Sequence, residues 1–432
     1  MPLGPFWEQS GPMSNQTFAI VGAGLAASRA IEGIRETDED ATIVLIGEED
    51  QIPYERPPLS KDVLMGKKPE ESACTHAPEW YDEQHVELRL GTAATAIDPV
   101  KRTVTLADGS EIRWDRLLLT TGSSVRQLDV PGADLLDVFY LRSMPDSAAL
   151  RARLVAGSNI VVIGAGWIGL EVASAARQQG CEVTIVEPQS APLLGVLGDE
   201  VGGWFADLHR SHGVDLRLGA SVAGLEAHGT VPGQVSGVIL ESGETIPADT
   251  VVVGIGIVPN TQLAEAAGLE IDDGIVTDEH LRTSAEGVYA AGDVASCHNP
   301  VLGERVRVEH WANALNGGFA AGRSMAGEDV TYDAIPFFYS DQYDVGLEYA
   351  GYVAPGAQAE VVLRGDPGSN EFMAFWLTPE GDGERVLAGM HVNVWDTVDA
   401  IKTLVRERTL VDRARLADKD TPLDQVARQR GA

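Results

Sequence analysis

Two apolar runs of strand length, FAIV at 18–21 and IVVI at 160–163, each stop on a Gly-Ala-Gly turn and pass into a helix-like segment. A second β-like run follows each segment and ends on an acid, Glu48 in the first case and Glu187 in the second. The second unit has the clearer outline, because Gly180 closes its helix and 181–186 alternates into Glu187. Further apolar runs lie at 117–122, closing on Gly122 before the turn-rich 123–132, and at 250–256, closing on Gly256. The run GVYAAGD at 287–293 reads as a buried strand that ends on Gly-Asp. From about residue 331 the character changes. An aromatic-rich stretch at 332–352 precedes short strand-like runs at 360–363, 372–377 and 386–390, then a helix over 396–408.

The turns carry chemistry. In GAGLAA at 22–27 and GAGWIG at 164–169, the first glycine (Gly22, Gly164) permits a tight strand-to-helix turn, and the second (Gly24, Gly166) lets backbone approach a diphosphate. A small third residue, Ala27 or Gly169, lets helix and strand pack closely. The diphosphate then meets a helix N-terminus, whose unpaired N–H groups and dipole favour negative charge. The acid roughly 20 residues on accepts hydrogen bonds from both ribose hydroxyls of an adenosine and would repel a 2′-phosphate. Two complete units imply two nucleotide cofactors. Asp293, at the end of a later strand, is placed to bind further ligand hydroxyls.

The fold class predicted is α/β, with two Rossmann-like nucleotide-binding domains in a glutathione-reductase-like order, the second inserted into the first, and a small C-terminal α+β domain. The boundaries that follow are a disordered leader at 1–13, a first nucleotide domain at 14–125 and 252–330, a second at 126–251, the C-terminal domain at 331–415 and a tail at 416–432. A chain of 432 residues exceeds what one hydrophobic core usually serves. The net charge of −33 argues against nucleic acid or an anionic membrane surface as a general partner. No apolar run approaches the ~20 residues that span a bilayer, and the first residues lack a signal-peptide pattern. Cys74, Cys181 and Cys297 are far apart, which points to a reducing cytoplasm and away from a disulfide relay. The last 32 residues run against the overall charge, with Lys402, Arg406, Arg408, Arg413, Arg415, Lys419, Arg428 and Arg430 against five acids. That basic end reads as a solvated helix face and frayed tail, or as a dock for an acidic partner.

YERPPLSK at 54–61, GWIGLEVA at 166–173, AAGDVA at 290–295 and VEHWANA at 308–314 give the chain a resemblance to a known family. Over about 15–410 it resembles the FAD-dependent, NADH-using ferredoxin reductases of bacterial oxygenase systems. The resemblance implies FAD at the first turn, with contacts from Gly22, Gly24, Ala26, Glu48, Arg56, Lys61, Ala94, Gly122, Arg142, Asp293 and Trp311. It implies NADH at the second, with Gly164, Gly166, Ile168, Gly169, Glu171, Glu187 and Gly256. Lys61 and Glu171 match positions that face one another across flavin and nicotinamide and are the implied catalytic pair. A Lys beside a flavin stabilises negative charge on the reduced ring, and a nearby carboxylate keeps that Lys protonated and oriented. The chain also departs from the family. Relatives commonly carry arginines where Ala191 and Gly195 stand, so that adenosine contact is lost or supplied from elsewhere. No basic residue lies between Glu187 and His209 to pair a 2′-phosphate, which disfavours NADP, and Tyr339 replaces a frequent Trp.

The implied reaction is hydride transfer from NADH to FAD, then release of single electrons to a [2Fe-2S] ferredoxin that feeds an oxygenase. Three scattered cysteines cannot build a four-thiolate site, so the iron–sulfur protein is a separate chain. Two alternatives stay open: a related reductase with another acceptor (rubredoxin, monodehydroascorbate, a quinone or oxygen), and an apoptosis-inducing-factor-like redox sensor. A disulfide reductase needs a paired cysteine after the first turn, and the segment has none. The adjacent Cys297 and His298 lack partners at ligand spacing and read as loop residues, with no metal expected. His209 and His212 read as a surface pair on a helix, while His310, beside Trp311, is a candidate for the flavin's edge, as packing more than as a proton donor.

Overall fold

The structure, a computed structural model, describes residues 16–428. The expected leader at 1–13 lies outside the described residues, as does Arg430. The fold is α/β and divides into two compact units.

The first unit comprises the described residues up to Tyr54 with Cys74–Ser123 and Pro259–Ala334. Its centre is a five-stranded sheet in the order Val288–Ala290, Arg116–Leu119, Thr17–Val21, Thr42–Ile46, Val86–Arg89. Every pairing in that sheet is parallel. A parallel strand covered on both faces needs a continuous apolar run. That is why FAIV works here: Phe18 and Ile20 enter a cluster with Ile31, Ile34 and Met325, whereas Ala19 and Val21 enter another with Val104, Trp114 and Leu117. On the first face the helices Leu25–Thr37 and Trp311–Met325 cross backbone to backbone. A Cβ on Gly318 would lie 2.2 Å from the Ala26 carbonyl oxygen, so the crossing requires glycine there.

The second unit comprises Glu55–Ala73, Ser124–Val258 and the described residues from Ile335 onward. It holds another five-stranded sheet, ordered Asp215–Leu218, Glu182–Glu187, Asn159–Ile163, Thr250–Val253, Val138–Tyr140, again parallel throughout. A three-stranded antiparallel sheet, Val222–Ala227, Val235–Leu240 and Thr245–Pro247, shares a core with it through Val161, Ile163, Val238 and Val251. The aromatic-rich C-terminal stretch forms a six-stranded sheet. Its order is Phe337–Gln342, Val345–Gly351, Gly383–Val392, Glu371–Glu380, Glu360–Asp366, with Leu410–Val411 on the Gly383–Val392 strand. The helix Val398–Arg406 buries Ile401, Leu404 and Val405. Among the described residues, no helix is long and apolar enough to cross a membrane.

Three local expectations need correction. Cys297 and His298 lie within the strand Ala295–Asn299, not in a loop, paired to Val306 and Arg305. His209 is no surface residue. It is 0% exposed, because the apolar side of Leu194–Ser211 turns it inward beside Phe205 and Leu208. The tail, as far as it is described, is packed instead of frayed: Val426 is fully buried, and the Arg428 N–H donates to the Leu410 carbonyl (2.8 Å). The nearly buried Arg364 guanidinium holds this strap by donating to the carbonyls of Leu416 (3.2 Å), Asp418 (2.7 Å), Lys419 (3.1 Å) and Thr421 (2.6 Å). Much of the basic end is paired internally as well, Arg408 with Glu380, Arg413 with Glu360 and Glu384, Lys419 with Asp420 and Arg428 with Asp382. Arg364→Met removes a charged donor from four carbonyls, so stability measured by urea denaturation is expected to fall by about 2–4 kcal/mol. Limited proteolysis should then cut first within 416–428.

Candidate functional site

The glycines of the two turns fall into two physical classes. Gly22 (φ +107°) and Gly164 (φ +102°) occupy backbone that L side chains rarely adopt. A Cβ there would stand 2.2 Å from the Thr120 oxygen or 2.4 Å from the Gly254 oxygen. Gly169 is equally confined, 2.1 Å from the Gly164 oxygen. Gly24 (φ −102°) and Gly166 (φ −79°) have conformations open to any residue. A Cβ on Gly24 meets nothing within 4 Å, and one on Gly166 meets only the Gly254 oxygen at 3.9 Å. The protein's own packing therefore does not explain glycine at these two positions. What remains is room for something to approach the backbone. Each is the N-cap of a helix, Leu25–Thr37 or Trp167–Gln178, and neither helix has a capping side chain on its first N–H groups. Unpaired N–H groups, a dipole and an open approach fit a diphosphate.

In the first unit the residues matched to FAD contacts converge on this turn. The Thr120 hydroxyl donates to the Gly22 carbonyl (2.8 Å), and Gly122 follows two residues on with φ +64°. Glu48 is exposed just past Thr42–Ile46, and a Cβ on its neighbour Gly47 would touch the Ala23 side chain at 2.7 Å. Asp293 sits in the short turn Gly292–Val294, where a Cβ on Gly292 would lie 3.2 Å from the Ala26 Cβ. Trp311 opens its helix, and Asn313 two residues later donates to the Gly292 carbonyl (3.2 Å). Ala94 begins the strand Ala94–Asp98 and packs on the same sheet. Arg56, Lys61 and Arg142, from the same set, belong to the second unit, where the Arg56 guanidinium donates to the Arg142 carbonyl.

The second unit assembles the rest. The Glu187 carboxylate ends its strand and accepts from the Ala165 N–H (2.7 Å) and the Gln189 N–H (2.9 Å), which pins it against the turn. Ile168 is exposed in the first turn of Trp167–Gln178, and Gly256 (φ +102°) accepts from the Arg126 N–H (2.9 Å). Glu171 lies on the same helix and is 5% exposed. Lys61 reaches it because Pro57 and Pro58 start the short 3-10 turn Pro57–Ser60, which the Ser147 hydroxyl holds through the Leu59 carbonyl (2.8 Å). The Lys61 Nζ then stands 2.7 Å from Glu171 Oε2, and its side chain is 13% exposed. Two hydroxyls complete the carboxylate, Ser60 on Oε2 (2.5 Å) and Ser340 on Oε1 (2.6 Å). Lys61 also lies 5.7 Å from the Tyr339 ring centre, and burial pushes that phenol up to about 12. The Asp341 carboxyl is raised by burial, with Lys61 acting in the opposite sense.

Sequence reasoning missed Ser60 and Ser340. The available signal was the alternation Phe338, Ser340, Gln342 along Phe337–Gln342, which turns two polar residues inward with an aromatic one. His310 is the N-cap of Trp311–Met325, and burial pulls its pKa down to about 4. The ring is neutral near pH 7, which suits packing better than proton donation.

Residues 16–318 match the pyridine nucleotide-disulphide oxidoreductase family, and residues 337–427 match the reductase C-terminal family. The anthranilate 1,2-dioxygenase system ferredoxin–NAD(+) reductase component of Burkholderia cepacia is 41% identical over 94% of this chain and 98% of its own length. The chain belongs to the FAD-dependent NADH:ferredoxin reductases of bacterial oxygenase systems. Rhodocoxin reductase of Rhodococcus erythropolis is 38% identical over 95% of this chain and 97% of its own. A crystal structure of the covalent putidaredoxin reductase–putidaredoxin complex contains a chain that superposes with a TM-score of 0.90 at 36% identity, covering 96% of this chain and 98% of that one. For a ferredoxin reductase with a disulphide-oxidoreductase fold, the thiols matter: none of Cys74, Cys181 and Cys297 is joined in a disulfide. Burial raises the Cys181 pKa and pushes Cys297 up to about 11, against thiolate chemistry.

The two open glycines can be tested directly. Gly24→Val and Gly166→Val should each weaken binding of one dinucleotide about tenfold or more, by flavin content or by titration with NADH. The melting temperature of the nucleotide-free protein should stay at the wild-type value.

Proposed function

We propose that the turn at 22–27 holds FAD, that the turn at 164–169 holds NADH, and that electrons leave singly to a separate [2Fe-2S] ferredoxin serving an oxygenase. The FAD domain is assigned to 14–125 and 252–330, the NADH domain to 126–251, and a C-terminal α+β domain to 331–415, in a glutathione-reductase-like arrangement. Bound FAD supplies the one chemistry the side chains lack, acceptance of a hydride and release of its two electrons one at a time.

The residues of the chain supply position and charge. Gly24 and Gly166 admit the diphosphates to helix N-termini, with Glu48 and Glu187 beside them to take ribose hydroxyls. Glu187 is already fixed by two backbone N–H groups, so a 2′-phosphate would meet an anchored negative charge, and no basic residue lies between Glu187 and His209 to pair it. With Ala191 and Gly195 where the family carries arginines, contact with the NADH adenosine is weaker or is supplied from elsewhere. The observation that carries the reading is the Lys61–Glu171 ion pair, whose buried carboxylate stands on the helix that opens from the second turn. A cation fixed in low dielectric favours whichever redox form of a neighbouring group carries the extra negative charge. A [2Fe-2S] acceptor has to sit on a separate chain, since three separate cysteines cannot supply four cluster ligands. The relatives named for ferredoxin reduction, and the reductase–putidaredoxin complex, support the same kind of partner.

In anaerobic stopped-flow, Lys61→Ala is expected to slow flavin reduction by NADH about tenfold or more while the protein keeps its flavin. Wild-type kinetics would remove Lys61 from the mechanism. With wild-type enzyme reduced by NADH, a [2Fe-2S] ferredoxin should reoxidise the flavin far faster than dissolved oxygen does. Reoxidation that oxygen alone explains, with no acceleration by any ferredoxin, would overturn the carrier reading.

A further inference from the structure

Behind Glu171 runs a buried line of hydrogen bonds to which neither turn contributes. The Ser340 hydroxyl donates to Glu171 Oε1 (2.6 Å), and Gln342 Nε2 donates to the Ser340 oxygen (3.2 Å). His209 Nε2 stands 2.8 Å from Gln342 Oε1, and the Tyr343 hydroxyl stands 3.1 Å from His209 Nδ1. The ring of His212 closes the outer end, stacked on Tyr343 at 3.7 Å. One assignment of protons satisfies the line. The Gln342 nitrogen is committed to Ser340, so its oxygen must accept, which puts the imidazole proton on Nε2 and makes Nδ1 the acceptor of the Tyr343 hydroxyl. The ring must be neutral for this, and burial pulls its pKa down to about 4.

Every donor in this line points toward Glu171. The line is not a proton wire, because an amide passes a proton only by changing tautomer. What it fixes is direction. With Oε1 held by Ser340, the carboxylate cannot rotate, and Oε2 stays committed to Lys61 Nζ (2.7 Å) and the Ser60 hydroxyl (2.5 Å).

We infer that Ser340, Gln342 and His209 are positioning residues for the reductive step, acting only through the orientation of Glu171 toward Lys61. The inference rests on the reading that the Lys61–Glu171 pair serves flavin reduction. Ser340→Ala is expected to lower the limiting rate of anaerobic flavin reduction about three- to tenfold, with NADH affinity and flavin content unchanged. His209→Leu should behave the same way. His209→Gln should recover most of the rate, because its amide places an N–H near the position of the ring Nε2. In a Lys61→Ala background, Ser340→Ala should add less than about a twofold further loss, the non-additivity expected of groups that act as one unit. A full-rate Ser340→Ala enzyme, or an independent loss in the Lys61→Ala background, would overturn the inference while leaving the Lys61–Glu171 reading intact. A full-rate Lys61→Ala enzyme would sink that reading and this inference together.

Discussion

Burying a carboxylate and an ammonium costs several kcal/mol per ion unless each finds its partner and the remaining lone pairs are filled. The Lys61–Glu171 pair meets that condition, and much of the local architecture reads as the means of meeting it. Two prolines set the backbone that delivers Lys61, one serine on each carboxylate oxygen completes Glu171, and a strand from the C-terminal sheet brings the second serine. Such a pair is a poor source of stability. What the contacts on both carboxylate oxygens do provide is a charge held in one orientation, the arrangement that electrostatic preorganisation requires.

The turns obey a different constraint. At Gly22 and Gly164 the backbone turns so closely against a neighbouring strand end that no side chain fits, while one step on, at Gly24 and Gly166, space is left unfilled. The same three-residue pattern thus contains one glycine that the fold requires and another that the protein's own packing does not explain. The two parallel sheets repeat this solution, and in each the turn leads straight into an uncapped helix N-terminus.

The C-terminal part does more than close the chain. Its sheet supplies Ser340 and Gln342 from one strand, and its far edge is fastened by a strap held through the Arg364 guanidinium. Arginine suits that task, because five donors in a rigid fork can serve several carbonyls at once. Three of the arginines in 402–428 answer acids of this sheet and its hairpin, Arg408 at Glu380, Arg413 at Glu360 and Glu384, and Arg428 at Asp382, so part of the local positive charge in the sequence is neutralised within the domain.

By itself the sequence determined the α/β class, both nucleotide turns, the acids that follow them, and Lys61 and Glu171 as a pair. The class, the turns and their acids rest on short-range rules, since hydrophobic period, glycine geometry and helix polarity act within about 30 residues, whereas the Lys61–Glu171 pair was legible only through the family resemblance of the motifs that carry it. Ser60, Ser340, Gln342 and the burial of His209 were not legible in that way. Ser340 meets Glu171 across 169 positions of sequence, and His209 meets Gln342 across 133. No local pattern encodes such a meeting, and the helix carrying His209 showed two histidines three apart without showing which one faced inward. The same holds for the tail, whose polar composition suggested fraying until Arg364, more than 50 residues away, proved to hold it. Only the tertiary structure decided these, because a buried polar group is tolerated solely where distant chain segments bring it a partner.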